Sequence, residues 1–551
     1  MNATKIASAA ALTAILAGCG GGDINLNPSN SVVNNGNTNV DVKNPCASYL
    51  LSGQTIQGAY DSTNCTYDVT FVSDTRPLTN DVFIPALPNN GIHIFQDSLF
   101  VGEDVDLNAA DRGVAIPQDG EGPSLTIAPG AKIAFSSSND YVRIARGSRI
   151  IAEGTATNPI IFSAVADLRD GTATENDRGL WGGVQINGNG ITNKCNDAAR
   201  LPVPGVNPHH CHVTSEGRPS TYGGNNNAES SGVLRYVVIK HAGFEVVDGD
   251  ELNGLTLDAV GSGTTIEYVE AYTTQDDGIE LFGGAPNLKN IVIVNAGDDS
   301  IDFSEGYVGS IQFALVVHTS GANRCIEGDN TGGGRADDIA PLTKLRISNM
   351  TCITSNVDTN AGTEPTAKGD SEGPLYREGA FFEMYNSIIT SNADGMASNE
   401  CLELDDTEGP QTVAAAIAGW SAASSNFIAC TEPTKLHADV ANAGFDLNVW
   451  LATAPNTNNL IVSDSTLLPV TVITDLVTNK RAYLTAPAFA DASTAALVVP
   501  VFDATQLRDT FTTDSMPNLG ASGSSSFFEA VDFIGAVSPA DDWVAGWTVG
   551  L

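Results

Sequence analysis

Between residues 264 and 305 the chain repeats itself at an offset of 22 residues. Thr265-Ile-Glu-Tyr-Val-Glu-Ala runs into Gln275-Asp-Asp-Gly-Ile-Glu-Leu-Phe. Asn287-Leu-Lys-Asn-Ile-Val-Ile runs into Gly297-Asp-Asp-Ser-Ile-Asp-Phe-Ser in the same way. Ile266 maps to Leu288, Val269 to Ile291, Asp276 to Asp298 and Glu280 to Asp302. Further copies begin at Val233, Ile311, Leu345, Met384 and Cys401. The apolar residues alternate with period two, and Gly, Asn and Asp separate the runs, which marks short strands and turns. Twenty-two residues with about three short strands make one coil of a parallel β-helix. A single coil cannot bury its own apolar face; stacking coils makes one continuous core. Roughly a dozen coils at about 4.8 Å each would give a rod on the order of 60 Å long. A length of 551 residues is therefore not read as three or four ordinary domains.

A looser version of the pattern fills the first half. Leu125-Thr-Ile-Ala-Pro-Gly-Ala-Lys-Ile is echoed by Val142-Arg-Ile-Ala-Arg-Gly-Ser-Arg-Ile, and Ile160-Ile-Phe and Trp181-Gly-Gly-Val-Gln-Ile-Asn-Gly follow. With the central coils and the closing Asp541-Asp-Trp-Val-Ala-Gly-Trp547, these runs resemble a family of secreted right-handed parallel β-helix (pectin-lyase-like) lipoproteins. The family belongs to Gram-negative marine bacteria and Bacteroidetes. The resemblance covers most of residues 90–551. It implies an all-β, right-handed parallel β-helix solenoid and a surface location, and it says little about chemistry. Near residue 436 the pattern changes: Leu436, Val440, Phe445, Val449 and Trp450 suggest a short amphipathic helix. The expected organisation is a leader (1–18), a lipidated Cys19 with a flexible tether (19–45), a β-helix with an N-terminal cap (46–435) and a C-terminal capping region (436–551). The last is expected to cover the final coil, because an open solenoid end is a sticky edge.

The leader reading rests on Lys5, the apolar run Ile6 to Ala17, and Leu16-Ala-Gly-Cys19, which matches a bacterial lipobox. The run is too short to span a membrane. Gly20 after the cysteine, in place of Asp, resembles release to the outer membrane. Eight cysteines remain, an even count that suits an oxidising compartment. Their clustering favours sequential pairs: Cys46–Cys65, Cys195–Cys211, Cys325–Cys352 and Cys401–Cys430. Each closes a loop of about 15–30 residues, which the chain-entropy model values at about 3 kcal/mol.

Charge narrows the partners. The chain carries 26 Lys plus Arg against 65 Asp plus Glu, a net charge of −39. Such a polyanion does not bind nucleic acid or anionic lipid through its general field. The repeat also concentrates charge. Asp276, Asp277 and Glu280 fall one coil below Asp298, Asp299 and Asp302, with Glu327 and Asp329 next and Glu403, Asp405 and Asp406 later. Stacked carboxylates about 5 Å apart repel by about 3 kcal/mol per pair at an effective dielectric of 20. Two readings offset this: Ca²⁺ bridging adjacent coils, or carboxylates capping turn N–H groups.

Asp298 and Asp299 are also weak candidates for the acid and base of glycan cleavage. The histidine patterns of the familiar β-helix glycan-cleaving enzymes are absent, so the expectation leans away from an enzyme. His209, His210 and His212 invite a Zn²⁺ or Cu²⁺ reading, against exposed histidines on a disulfide-closed loop. The expected function is a lipid-anchored, calcium-stabilised outer-membrane surface protein that contributes to a surface layer, adhesion or a biofilm matrix. Its partners are the membrane, copies of itself or surface glycans. The alternative is a polysaccharide lyase or hydrolase acting on acidic glycans.

Overall fold

The computed structural model describes residues 43–551, apart from 204–206, 248–249, 320–321, 332–335, 356–369, 392–399, 408–410, 464–483, 486–499, 507–526 and 539. The chain divides into Met1–Lys43 and Asn44–Leu551. The leader, Cys19 and nearly all of the tether lie outside the described residues.

In the larger unit the repeat closes into stacked coils. One sheet holds ten strands, from Leu99–Val101 through Ile279–Phe282 and Ile301–Ser304 to Lys435–His437, one per coil and every pairing parallel. The 22-residue offset is literal register: Ile279 stands beside Ile301 and Ile266 beside Leu288. Inward residues such as Ile279, Leu281, Ile301 and Phe303 are wholly buried. Ten strands at the usual spacing stack to about 43 Å; the second sheet runs further, through twelve successive parallel strands from Cys65–Tyr67 to Leu460–Val462, in line with the dozen coils expected.

The second sheet is built from long strands such as Thr265–Tyr272, Asn287–Val294 and Val308–Val317. Each bends at one left-handed residue. Tyr236, Tyr268, Asn290, Phe313, Asn349, Asn386 and Ser425 have φ of +49° to +62° and follow one another in register. Asparagine tolerates this region better than most residues. The bend turns one strand into two legs, and the core fills the angle between the legs and the ten-stranded sheet.

The lower end is closed by the hairpin Ser48–Leu51/Gln54–Gln57 and the Cys46–Cys65 disulfide. Above them an aromatic stack climbs the core: Tyr67 to Phe95 at 4.5 Å, Phe95 to Phe135 at 5.8 Å and Phe135 to Trp181 at 4.8 Å. The remaining disulfides join Cys195 to Cys211, Cys325 to Cys352 and Cys401 to Cys430, all sequential partners.

The C-terminal part differs from expectation in two ways. The helix is Leu447–Ala452 only. Leu436 sits in the last strand of the ten-stranded sheet, so coil stacking continues past residue 435, and Val440 lies exposed in a 3₁₀ turn. Asp439 and Asp446 each accept an N–H as N-caps, so two short starts replace one longer helix. Leu447 and Leu451 enter the main core and cover the last coil. The chain's final described segments do something else: they lie along the flank. The outer side of the second legs is apolar, with Val238, Val292, Val294, Leu315 and Val317. Ile534, Val537, Val544 and Trp547 pack onto it. Glu270 interrupts this apolar column, and the Val549 N–H donates to both of its carboxylate oxygens at 2.9 and 3.0 Å.

Glu229 is a buried carboxylate with no side-chain cation bonded to it among the described residues. It accepts from the Gly261 N–H and, at 3.2 Å, from the Ser231 hydroxyl, and burial pushes it up to about 7. A carboxyl raised in the folded state holds a proton that the unfolded chain has lost. Its contribution is full below the unfolded value near 4.5 and fades as pH rises through about 7. Glu229→Gln should therefore gain on the parent chain by an amount that grows from acid to alkaline pH, on the order of 3 kcal/mol at the alkaline end. Denaturant melts across that range test it; a constant difference between the two proteins would refute it.

Candidate metal centre

The outer face of the ten-stranded sheet is set by the same alternation that buries Ile279 and Leu281. Their neighbour Glu280 points outward, and register puts Thr256, Glu280, Asp302 and Glu327 abreast on four successive strands. The turn before each strand supplies the Asp-Asp pair. Asp276, Asp277 and Asp298 bring one carboxylate oxygen each to within 4.8 Å of one another. Asp277, Glu280 and Asp302 do the same, as do Asp299, Asp302 and Glu327. The first and third trios share no residue.

The turn-capping reading also holds for part of this set. The Asp299 N–H donates to Asp277 Oδ1 at 2.9 Å, and the Arg324 N–H donates to Asp299 Oδ1 at 2.7 Å. Asn253 begins the series by accepting from the Asp277 N–H at 3.1 Å. Capping and metal binding thus do not exclude each other, because a carboxylate has two oxygens. Asp298 Oδ1 accepts from the Asn323 amide at 3.0 Å. Asp329 stands outside the trios: Arg377 bonds it at 2.9 Å and also reaches Glu327 at 2.5 Å.

Burial pushes Asp277, Glu280, Asp299 and Asp302 well above the usual carboxylate range, and the neighbouring carboxylates add to it. Glu327 rises to about 7 although Arg377 opposes the shift. Asp302 Oδ1 is buried with no hydrogen-bond partner. The cations nearest in sequence do not neutralise the ladder: Lys289 bonds Glu529 on the flank, and Arg324 bonds Glu372 at 2.6 Å and Glu403 at 2.9 Å. A fourth group, Glu403, Asp405 and His437, is different. Lys435 reaches Glu403 at 3.3 Å and Arg324 reaches it at 2.9 Å, so the charge there is matched from within the chain.

Two acids of this face escaped the sequence reading. Asp258 lies outward on the strand Leu255–Asp258, and Glu216 comes from the insertion whose hairpin pairs Val213–Thr214 with Thr221–Tyr222. The hairpin lies on the sheet: the Gln185 amide donates to Glu216 O at 3.0 Å and the Asn187 amide to Thr221 O at 3.2 Å. The period-two alternation marks Asp258 as outward, but nothing in the sequence places Glu216 over it.

The histidines of the same insertion do not stand on an exposed loop. His209 accepts from the Cys211 N–H at 3.2 Å and faces Asn189 Oδ1 at 3.2 Å; His212 Nδ1 accepts from Arg146 at 3.0 Å. Arg146 is buried and also donates to the carbonyls of Val105, Cys211 and Gly223 and to the Thr221 hydroxyl. Burial and this guanidinium push His209 down to about 3 and His212 to about 4. The loop is built around an arginine.

A family model described as a pectate-lyase like beta helix domain matches residues 115–453, more than half of the 551 residues. The chain belongs to this family. No curated protein and no solved structure matches it. A pectate-lyase-like β-helix is compatible with surface interaction and with action on polysaccharides. Among the described residues, no helix is long and apolar enough to cross a membrane.

Proposed function

We propose that this pectate-lyase-like β-helix is a calcium-stabilised scaffold, held at the outer-membrane surface by lipidated Cys19 and contributing to a surface layer, adhesion or a biofilm matrix. The observation that carries the reading is the set of three carboxylate trios on successive coils. Asp302, a member of the second and third trios, has a buried Oδ1 with no hydrogen-bond partner. Such a set suits hard cations from solution, and carboxylate oxygens are the ligands Ca²⁺ takes. A chain of −40 after loss of residues 1–18, which removes Lys5 alone (25 − 65), needs the same cations to pack beside copies of itself. Surface order on cells should be lost in EDTA and return with Ca²⁺; order indifferent to EDTA would sink the proposal.

The glycan-cleaving alternative draws on the family rather than on this site. Asp299 spends one oxygen on the Arg324 N–H, and Arg324 and Arg377 are each bonded to two carboxylates. Unsaturated uronate or new reducing ends from pectate or alginate, abolished by Asp298→Ala or Asp299→Ala, would make the alternative the better reading.

A further inference from the structure

Beneath the Val213–Tyr222 hairpin the structure leaves five buried oxygens without a hydrogen-bond donor: both carboxylate oxygens of Asp258, Glu216 Oε2, Asn187 Oδ1 and Gln185 Oε1. Asp258 is 0% exposed, and Asn187 and Gln185 are each 1% exposed. These residues belong together. Asn187 and Asp258 are register partners on adjacent strands, and Gln185 lies two residues before Asn187 on the same outward face. Adjacent strands are about 4.8 Å apart. Glu216 sits above, since its own carbonyl accepts the Gln185 amide. Asp258 is also the charged neighbour that acts most strongly on Glu216.

The orientation of both amides is fixed. Asn187 Nδ2 donates to Thr221 O at 3.2 Å and to the Ser220 hydroxyl at 2.9 Å, and Gln185 Nε2 donates to a main-chain carbonyl. An amide whose nitrogen donates to a carbonyl turns its oxygen the other way. The group is therefore all acceptors. Lys194, the cation that acts on Asp258, is bonded to Glu305. Burying acceptors without donors costs about 1–3 kcal/mol each, and more for a charge. Oxygen ligands of this kind, two carboxylates among them, match the charge and the ligand preference of one hard divalent cation.

We infer that a divalent cation of the Ca²⁺ class binds beneath the hairpin, held by Asp258, Glu216, Asn187 and Gln185, and that it pins the insertion to the sheet. Glu216 also acts on Glu280 of the ladder, so the two sites adjoin and the test must separate them. The test uses the mature chain stripped of metal and titrated with Ca²⁺ alone. Bound equivalents are counted after gel filtration, and hydrogen exchange is followed over residues 213–222. The parent chain should show hairpin amides exchanging at least about tenfold more slowly with Ca²⁺ than with EDTA, a difference of about 1.4 kcal/mol. Asp258→Asn should lose one equivalent and the slowing together. Glu216→Gln, on the hairpin itself, gives the same test if Asp258→Asn does not fold. A double change at Asp299 and Asp302 to Asn should lose ladder equivalents and keep the hairpin response. Unchanged stoichiometry in both Asp258→Asn and Glu216→Gln would overturn the inference, leaving the oxygens to water or a proton. So would a hairpin response that vanishes with the ladder.

Discussion

Removing calcium from the folded protein should lower its stability by about 5 kcal/mol, because two non-overlapping trios each contribute about 2.7 kcal/mol when Ca²⁺ is a hundredfold above its dissociation constant. For a unit of this length melting cooperatively, that is a fall of ~5 °C in Tm. The pH dependence should change with the metal. Without it, Asp277, Glu280, Asp299, Asp302 and Glu327 have folded values raised above their unfolded ones, Glu327 to about 7. The folded state then holds protons that the unfolded chain lacks. Stability is full below the unfolded values near 4 and is lost as pH rises through the folded ones. The EDTA-treated protein should thus melt higher at about pH 5 than at about pH 8, whereas excess Ca²⁺ should flatten or reverse that order, since protons and metal compete for the same oxygens. Calorimetry of the mature chain under the four conditions decides it. Equal melting with and without Ca²⁺ would return the ladder to turn capping alone.

Trp547→Ala should cost about 3–5 kcal/mol, the usual loss for a large buried aromatic. Trp547 is 3% exposed, lies edge-on to Tyr236 at 5.6 Å, and donates its indole N–H to Trp543 O at 2.7 Å. The loss should be local in its consequences. The second legs present apolar residues to both sides, so loosening the closing segment exposes Val292, Val294, Leu315 and Val317 while the coils stay stacked. An early partial transition, new binding of an apolar-surface dye and proteolytic cutting within 527–551 are the expected signs. A single unshifted transition would show that the tail contributes little.

The site was legible in sequence to the extent that it follows the repeat. Asp276, Asp277 and Glu280 recur at a fixed offset as Asp298, Asp299 and Asp302, and a parallel coil turns a fixed offset into vertical neighbours. The cation that meets the end of the ladder was not legible. Arg377 follows a long insertion and reaches Glu327 only because the coil resumes in register beyond it. The flank cover was half legible: Ile291-Val-Ile-Val294 is apolar without alternation, the mark of a strand buried on both faces. The Tyr268 and Phe313 bends were not, since neither residue type favours a left-handed backbone.

By itself, then, the sequence determined the coil, its period, which residues face the core and which carboxylates stack, since all of these are local alternation repeated at a constant interval. Only the tertiary structure decided what lies over the stacked faces. The hairpin that brings Glu216 to Asp258, the arginine inside the histidine loop and the tail along the flank all come from aperiodic segments. Their positions are fixed by the buried oxygens and apolar side chains they cover, and no spacing in the chain encodes that pairing.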